Sequence, residues 1–280
     1  MRRYGFLLLL LVVAAVVGPT RAQTPTCDRL QGNKRDLARE ILSTEHPYDC
    51  CDDTIVACLE RETICSLARR LADNVCRRVA ENQDMDRIRR ALSRRARSLL
   101  PGGKLAEIDL DGVPMVGDEE APVTMVVYAC ARCPFCSKLI PALHDAITTG
   151  QLAGKAKLYF KIFPIRDHPF SAEAALAFWA AARSERFWEF LLYASERFDD
   201  FDVEKQADWA EAVGILADEF ERFVEDPVAR EAVTASKKEG IVNGVEATPT
   251  LFVNGRLWLG DLTLEEIVDV VGEEVDRLQE

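Results

Sequence analysis

An excess of positive charge is the first thing this 280-residue chain lacks: 35 Lys and Arg stand against 47 Asp and Glu, a net charge of −12. A surface that acidic repels phosphate backbones and argues against a nucleic-acid partner. The 15 glycines and 12 prolines show no collagen-like or low-complexity bias, and a 48% hydrophobic content is too high for a disordered chain. No internal repeat is found. Histidine is scarce, at three residues. Beyond the first twenty or so positions no apolar run approaches the ~20 residues that span a bilayer. No lipidation box precedes Cys27, because Thr24-Pro25-Thr26 lacks a leading aliphatic residue. Cysteine is the exception. Nine are present, and an odd number leaves at least one outside any intramolecular disulfide.

The N-terminus indicates a compartment. Arg2 and Arg3 precede an apolar run from Phe6 to Val17, Gly18-Pro19 breaks it, and Thr20-Arg21-Ala22 offers small residues for cleavage. That order is the pattern of a secretory signal, so residues 1–22 are expected to be removed after Ala22. The mature protein is then expected to be soluble and periplasmic or secreted, where cysteines form disulfides or handle those of other proteins.

The remainder divides by composition. Residues 23–105 are helical in pattern and hold Cys27, Cys50, Cys51, Cys58, Cys65 and Cys76, with 16 basic and 13 acidic residues. Residues 106–280 carry 16 basic and 34 acidic residues. Pro101-Gly102-Gly103 is the Pro/Gly cluster between them and sets the expected boundary.

In the second segment, Val123 to Ala129 is a β-branched, nearly unbroken apolar run, as in a strand buried on both faces. A helix is expected from about Pro134 to Thr149, a strand at Leu158–Ile162 and a long helical block from Ser171 to Glu239. Asn254-Gly255 between two short apolar runs signals a hairpin. An amphipathic helix from Leu262 to Leu278 closes the chain. This order implies an α/β fold with a mixed sheet covered by helices.

Cys133-Pro134-Phe135-Cys136 lies where the first buried strand hands over to a helix. Unpaired amides and the positive dipole end at a helix start favour an anion. A thiolate there has a lowered pKa and attacks disulfides at neutral pH. Cys136, one turn on, can close a disulfide with Cys133 or resolve a mixed one. Pro134 suits the first turn because its missing N–H had no partner to lose. A structural disulfide or half a zinc site would show the same spacing.

Together with Thr248-Pro249-Thr250, Phe252-Val253-Asn254-Gly255, Ala121-Pro122-Val123 and the stretch from Phe163-Pro164 to His168-Pro169, this motif resembles the DsbA-type branch of the thioredoxin superfamily over residues 106–280. The resemblance implies a thioredoxin-like fold with a helical insertion. It makes Cys133 the nucleophile and Cys136 the resolving thiol. Pro249 becomes a cis-proline beside the disulfide that leaves the Thr248 backbone free to pair with an extended substrate. Pro134, Phe135, Thr248 and Pro249 are the implied substrate-binding positions. Phe135 holds no positive charge near the thiolate, unlike the histidine of strongly oxidising members, and Thr248 is similar to what isomerases carry. Both departures speak against a strong oxidase and leave the direction of exchange open.

Cys130 extends the motif to C-x-x-C-x-x-C, which invites an iron–sulfur reading. A cluster wants a fourth cysteine and a looser loop, so a small buried thiol is favoured over a metal ligand or a third redox thiol. His46, His144 and His168 add little, because a Cys-His hydrolase needs one beside Cys133 and the paired Cys136 argues against it.

The N-terminal segment reads as a small all-helical, cysteine-rich domain with structural disulfides. Asp53-Thr54 is a helix-start signal, and Cys58, Cys65 and Cys76 fall on one face if the helix is continuous. Six cysteines allow 15 pairings. Tyr48-Asp49-Cys50-Cys51-Asp52-Asp53-Thr54 with the arginine-rich helices up to Leu100 is distantly similar to the thiol domain of the cytochrome c maturation factor CcmH. That family's C-x-x-C is absent, so its reductase chemistry does not transfer. The opposite charge of the two segments permits docking, with the N-terminal module positioning a partner or passing electrons to Cys133 and Cys136.

The expected function is an extracytoplasmic thiol–disulfide oxidoreductase acting on unfolded or extended cysteine-containing proteins, with a membrane redox partner and with neither cofactor nor metal. The alternative is a non-catalytic binding or chaperone module whose cysteines are structural.

Overall fold

The computed structural model describes residues 25–61, 63–100 and 102–279. The expected signal segment, 1–22, lies outside the described residues. The chain forms two compact units that divide between Asn82 and Gln83.

The N-terminal unit contains α1 (Pro25–Asp28), α2 (Gly32–Leu42), α3 (Ile55–Leu59) and α4 (Ser66–Ala80). Thr54 caps α3, its hydroxyl accepting from the Ala57 amide at 3.3 Å, as the Asp53-Thr54 signal predicts. Cys58, Cys65 and Cys76 would share one face only on a continuous helix, and the chain is not continuous helix here. α3 stops at Leu59, and Cys65 instead precedes α4 as its cap, its sulfur accepting from the Ala68 amide at 3.3 Å. That break lets the chain fold back and pair its cysteines as Cys27–Cys76, Cys50–Cys65 and Cys51–Cys58. The core consists of aliphatic side chains such as Ile41, Ile55, Leu71 and Val75, all fully buried.

The second unit opens with α5 (Met85–Leu99). Composition placed this helix with the N-terminal segment and drew the boundary at residue 105. Contacts place it here instead: Arg95, 2% exposed, donates to Glu273 at 2.7 and 3.0 Å and pairs with Asp269. Both acids lie on the last helix, α12 (Leu264–Gln279). A charge run on α5 therefore hides a buried ion pair, which local composition cannot distinguish from a solvated face.

Between these helices lie β1 (Met115–Gly117), β2 (Val123–Ala129), α6 (Cys136–Thr148), β3 (Ala156–Ile162), α7 (Ser171–Arg183), α8 (Phe187–Glu196), α9 (Gln206–Ala212), α10 (Ala217–Glu225), α11 (Pro227–Val242), β4 (Thr250–Val253) and β5 (Arg256–Leu257). The expected long helical block is thus five helices. Strand order is β1-β3-β2-β4-β5. β2 and β3 run parallel, with Val123 opposite Ala156 and Ala129 opposite Ile162, and the other pairings are antiparallel. Asn254 and Gly255, at φ of 47° and 76°, make the hairpin turn that their sequence signals.

Central β2 is buried on both faces, as its apolar run requires. One face packs Val126 and Tyr128 with Phe163, Val245 and Phe252. α11 approaches this face at Gly240, where an added Cβ would lie 2.8 Å from the Phe163 ring and 3.0 Å from that of Tyr128. Across the sheet an aromatic group of Phe160, Phe178, Phe187, Trp188 and Phe190 forms the insertion's core, with ring centroids 4.9 to 6.5 Å apart.

Candidate active site

The site is built at the carboxyl end of β2, the most buried strand. The chain leaves the strand at Ala129 and turns so that the Cys133 amide donates to the Cys130 carbonyl at 3.0 Å. The Cys133 carbonyl then accepts from the Ser137 amide at 3.1 Å and that of Phe135 from Leu139 at 3.0 Å. Cys133 thus occupies the mouth of α6, although regular helix begins at Cys136. Pro134 has no N–H, so the amides available to the Cys133 sulfur are those of Phe135 and Cys136.

These donors fix the electrostatics. The Cys136 thiol, hydrogen-bonded to Cys133, is the largest influence and holds the Cys133 pKa down at about 5. Burial opposes the shift, and the Cys136 amide, the Thr248 hydroxyl and the Phe135 amide reinforce it. Cys136 is pushed the other way, well above the ordinary thiol range, first by burial and then by the Cys133 thiolate beside it. One proton shared between two sulfurs belongs to the pair, and here it rests on the inner one.

The family resemblance implies that Thr248 and Pro249 stand beside this pair, and the structure brings Thr248 to Cys133 and Pro249 to Phe135. The Thr248–Pro249 peptide bond is cis. The Thr248 carbonyl accepts from Cys133 Sγ at 3.3 Å when that sulfur is protonated. The buried Thr248 hydroxyl favours a thiolate at either sulfur. Phe135, 72% exposed, and Pro249 border an open groove of about 470 Å³ with Leu139, Ala142, Leu262 and Leu264. Leu262, just before α12, and Leu264, its first residue, were expected only as part of the closing helix, and nothing in the sequence marked them as lining this groove.

Cys133 is 1% exposed, with the Thr248 carbonyl 3.3 Å from its sulfur. Cys130 is a buried free thiol, as expected. Its sulfur lies 3.3 Å from His168 Nδ1 and 3.3 Å from Ser171 Oγ. His168 therefore sits beside Cys130 and not Cys133. The parallel register, Ala129 opposite Ile162, brings the segments beyond both strand ends together. Arg132, in the same turn, lies over the rings of Phe198 and Phe201, 4.5 and 4.3 Å from their centroids, and donates to the Phe198 carbonyl at 2.7 Å. This contact ties the active-site turn to the helical insertion. His144 packs on Trp188, and His46 lies in a loop. Among the described residues no group of three or more His, Cys, Asp or Glu is arranged for a metal ion.

The model of the thioredoxin family matches residues 110–273, more than half of the chain. The chain belongs to the thioredoxin family. Its structure resembles that of oxidised BdbD from Bacillus subtilis, with a TM-score of 0.53 and 22% identity over 61% of this chain and 97% of that one. It also resembles the thiol-disulfide exchange protein alpha-DsbA2 from Wolbachia pipientis, with a TM-score of 0.51 and 25% identity over 59% of this chain and 87% of the other. The fold is therefore the thioredoxin-like fold of DsbA-like thiol–disulfide oxidoreductases. Among curated proteins the chain is 30% identical over 187 residues to Na(+)/H(+) antiporter NhaA 3 of Salinispora tropica, 64% of this chain and 28% of that one. It is 32% identical over 155 residues to Na(+)/H(+) antiporter NhaA 1 of Mycolicibacterium gilvum, 54% and 25% of the two. The chain spans about a quarter of the length of these curated relatives. The family match begins after α5, so the CcmH-like stretch lies outside it.

Proposed function

We propose that the chain is an extracytoplasmic protein thiol–disulfide oxidoreductase working through Cys133-Pro134-Phe135-Cys136. The observation that carries the reading is a thiol at the mouth of α6, its pKa near 5, beside the Thr248 carbonyl and an open apolar groove. As a disulfide donor, the Cys133–Cys136 bond is opened by a substrate thiolate, giving a substrate–Cys133 mixed disulfide and a Cys136 thiolate that takes a proton. A second substrate thiolate then attacks the substrate sulfur of the mixed disulfide. The substrate closes its own disulfide and Cys133 leaves as its stabilised thiolate. In reverse, Cys133 attacks a substrate disulfide and Cys136 displaces the substrate. Ionisation of Cys133 removes the proton it shares with the Thr248 carbonyl, which frees that oxygen for an amide of an extended substrate backbone.

A stabilised thiolate favours the reduced pair and hence donation of the disulfide to substrates. The reduction potential of the pair against glutathione measures that direction. Three disulfides in the N-terminal unit support an oxidising compartment. The partners proposed are unfolded or extended proteins with cysteines, and a membrane redox partner that restores the disulfide. A Cys136→Ser chain is expected to retain such proteins as covalent, reductant-sensitive adducts on Cys133. Near-complete burial of Cys133 is the observation favouring the alternative of a non-catalytic binding module. Absence of adducts together with a Cys133 that resists iodoacetamide at pH 7 would decide for that alternative.

A further inference from the structure

We propose that Cys130 and His168 carry the proton of Cys136 between the buried site and solvent, serving as the acid–base path of the resolving step. This rests on the exchange reading above and concerns only its second half.

Cys136 is 4% exposed. It must lose a proton before it attacks a mixed disulfide on Cys133 and regain one when the pair is reduced. The groups acting on its titration, besides burial, are Cys133, the Cys130 backbone and Thr248, with no carboxylate among them. Its outlet lies on the Cys130 side. Cys130 and Cys136 line one small cavity of about 10 Å³ with Ser137 and Ser195, about the space that one water needs. Beyond the cavity, Cys130 Sγ contacts His168 Nδ1 and Ser171 Oγ, each at 3.3 Å. Cys130 is 1% exposed and His168 is half-buried. The series therefore runs from a sealed sulfur to a ring that solvent reaches. Arg132, in the same turn, interacts electrostatically with both Cys130 and Asp199. Imidazole is the side chain suited to taking and releasing a proton near neutral pH.

His168 takes the Cys130 proton, and the Cys130 thiolate takes that of Cys136 through the cavity. The Cys136 sulfur attacks Cys133, the Cys133–Cys136 bond forms, and the bond from Cys133 to the substrate sulfur breaks. The substrate departs as a thiolate, and the proton on His168 passes to solvent. One S–S bond replaces another, so no outside oxidant is required.

The reduced full-length protein mixed with 5,5′-dithiobis(2-nitrobenzoate) should release two thionitrobenzoate ions, the first on attack by Cys133 and the second on resolution by Cys136. In His168→Gln the second release should slow on the order of 100-fold at pH 7. The deficit should shrink as alkaline pH lets hydroxide act directly. Cys130→Ala should behave alike, whereas Cys130→Ser, whose hydroxyl still passes a proton, should recover most of the rate. The first release should keep its wild-type rate in His168→Gln. A wild-type second release in both His168→Gln and Cys130→Ala overturns the proposal. So does a loss of equal size at every pH, the mark of a merely structural role. Absence of any fast first release from the wild-type protein overturns the exchange reading itself, and this proposal with it.

Discussion

In the N-terminal unit all six cysteines are joined in pairs, each closing a stretch of 7, 15 or 49 residues. At the end of β2, Cys130, Cys133 and Cys136 remain thiols within seven residues of one another. The difference follows from what else is available to hold each unit together. Residues 25–82 contain a single aromatic side chain, Tyr48, and four short helices, too little apolar surface for a self-sufficient core. Cross-links offset that deficit by restricting the unfolded chain. The second unit has all four tryptophans and a continuous aromatic core, so its stability does not call on its cysteines, which stay free.

The largest effect tests the chemical half of that contrast. Cys133→Ala should abolish thiol exchange with a disulfide-bonded reporter, whereas replacing both Cys27 and Cys76 by alanine should leave the rate within about twofold if the N-terminal unit is purely structural. Stability should show the opposite pattern. Loss of the Cys27–Cys76 bridge should cost about 4 kcal/mol in the N-terminal unit, against about 3 for Cys50–Cys65 and about 2 for Cys51–Cys58, following loop length. Urea unfolding by far-UV circular dichroism checks this ranking. Tryptophan fluorescence should stay unchanged, since the tryptophans lie in the second unit.

Arg95→Ala sharpens the boundary between the units. It leaves Glu273 and Asp269 without the buried cation and should destabilise the tryptophan-reported unit by about 3 kcal/mol. An unchanged fluorescence transition would return α5 to the N-terminal side.

The pH dependence distinguishes a free thiol pair from a closed one. Cys133 has a folded pKa of about 5, below that of an unfolded thiol, near 8.5. Between those values the unfolded chain binds a proton that the folded chain does not, so the reduced protein gains stability as pH rises. It loses this advantage as pH falls through about 5. Unfolding midpoints of reduced protein minus oxidised protein should therefore climb from pH 5 to 8.5. A flat difference would contradict the thiolate assignment. In the smallest of these effects, Cys136→Ala should raise the Cys133 pKa by roughly 1 to 2 units by removing its main hydrogen-bond donor, and Cys136→Ser by less. Thiolate absorbance at 240 nm follows both.

Much of the second unit was legible locally. β2 appears at Val123–Ala129 as its apolar run predicts, the Asn254-Gly255 hairpin forms, and Cys133-Pro134-Phe135-Cys136 stands at the handover from strand to helix. β1 was missed because a three-residue strand, Met115-Val116-Gly117 directly after Pro114, carries too little pattern. The split of the insertion into five helices depends on packing among aromatic rings, which no periodicity displays.

What the sequence determined by itself is whatever depends on neighbours along the chain: buried strand, helix mouth, turn residues, and a thiol pair one turn apart. Tertiary structure alone decided which cysteines bond, which unit holds α5, and what stands beside Cys130. Those outcomes depend on strand register and on how helices fold back. They bring His168 to Cys130 across 38 residues and Arg95 to Glu273 across 178. Contacts at such separations arise from global packing, and local composition carries no trace of them.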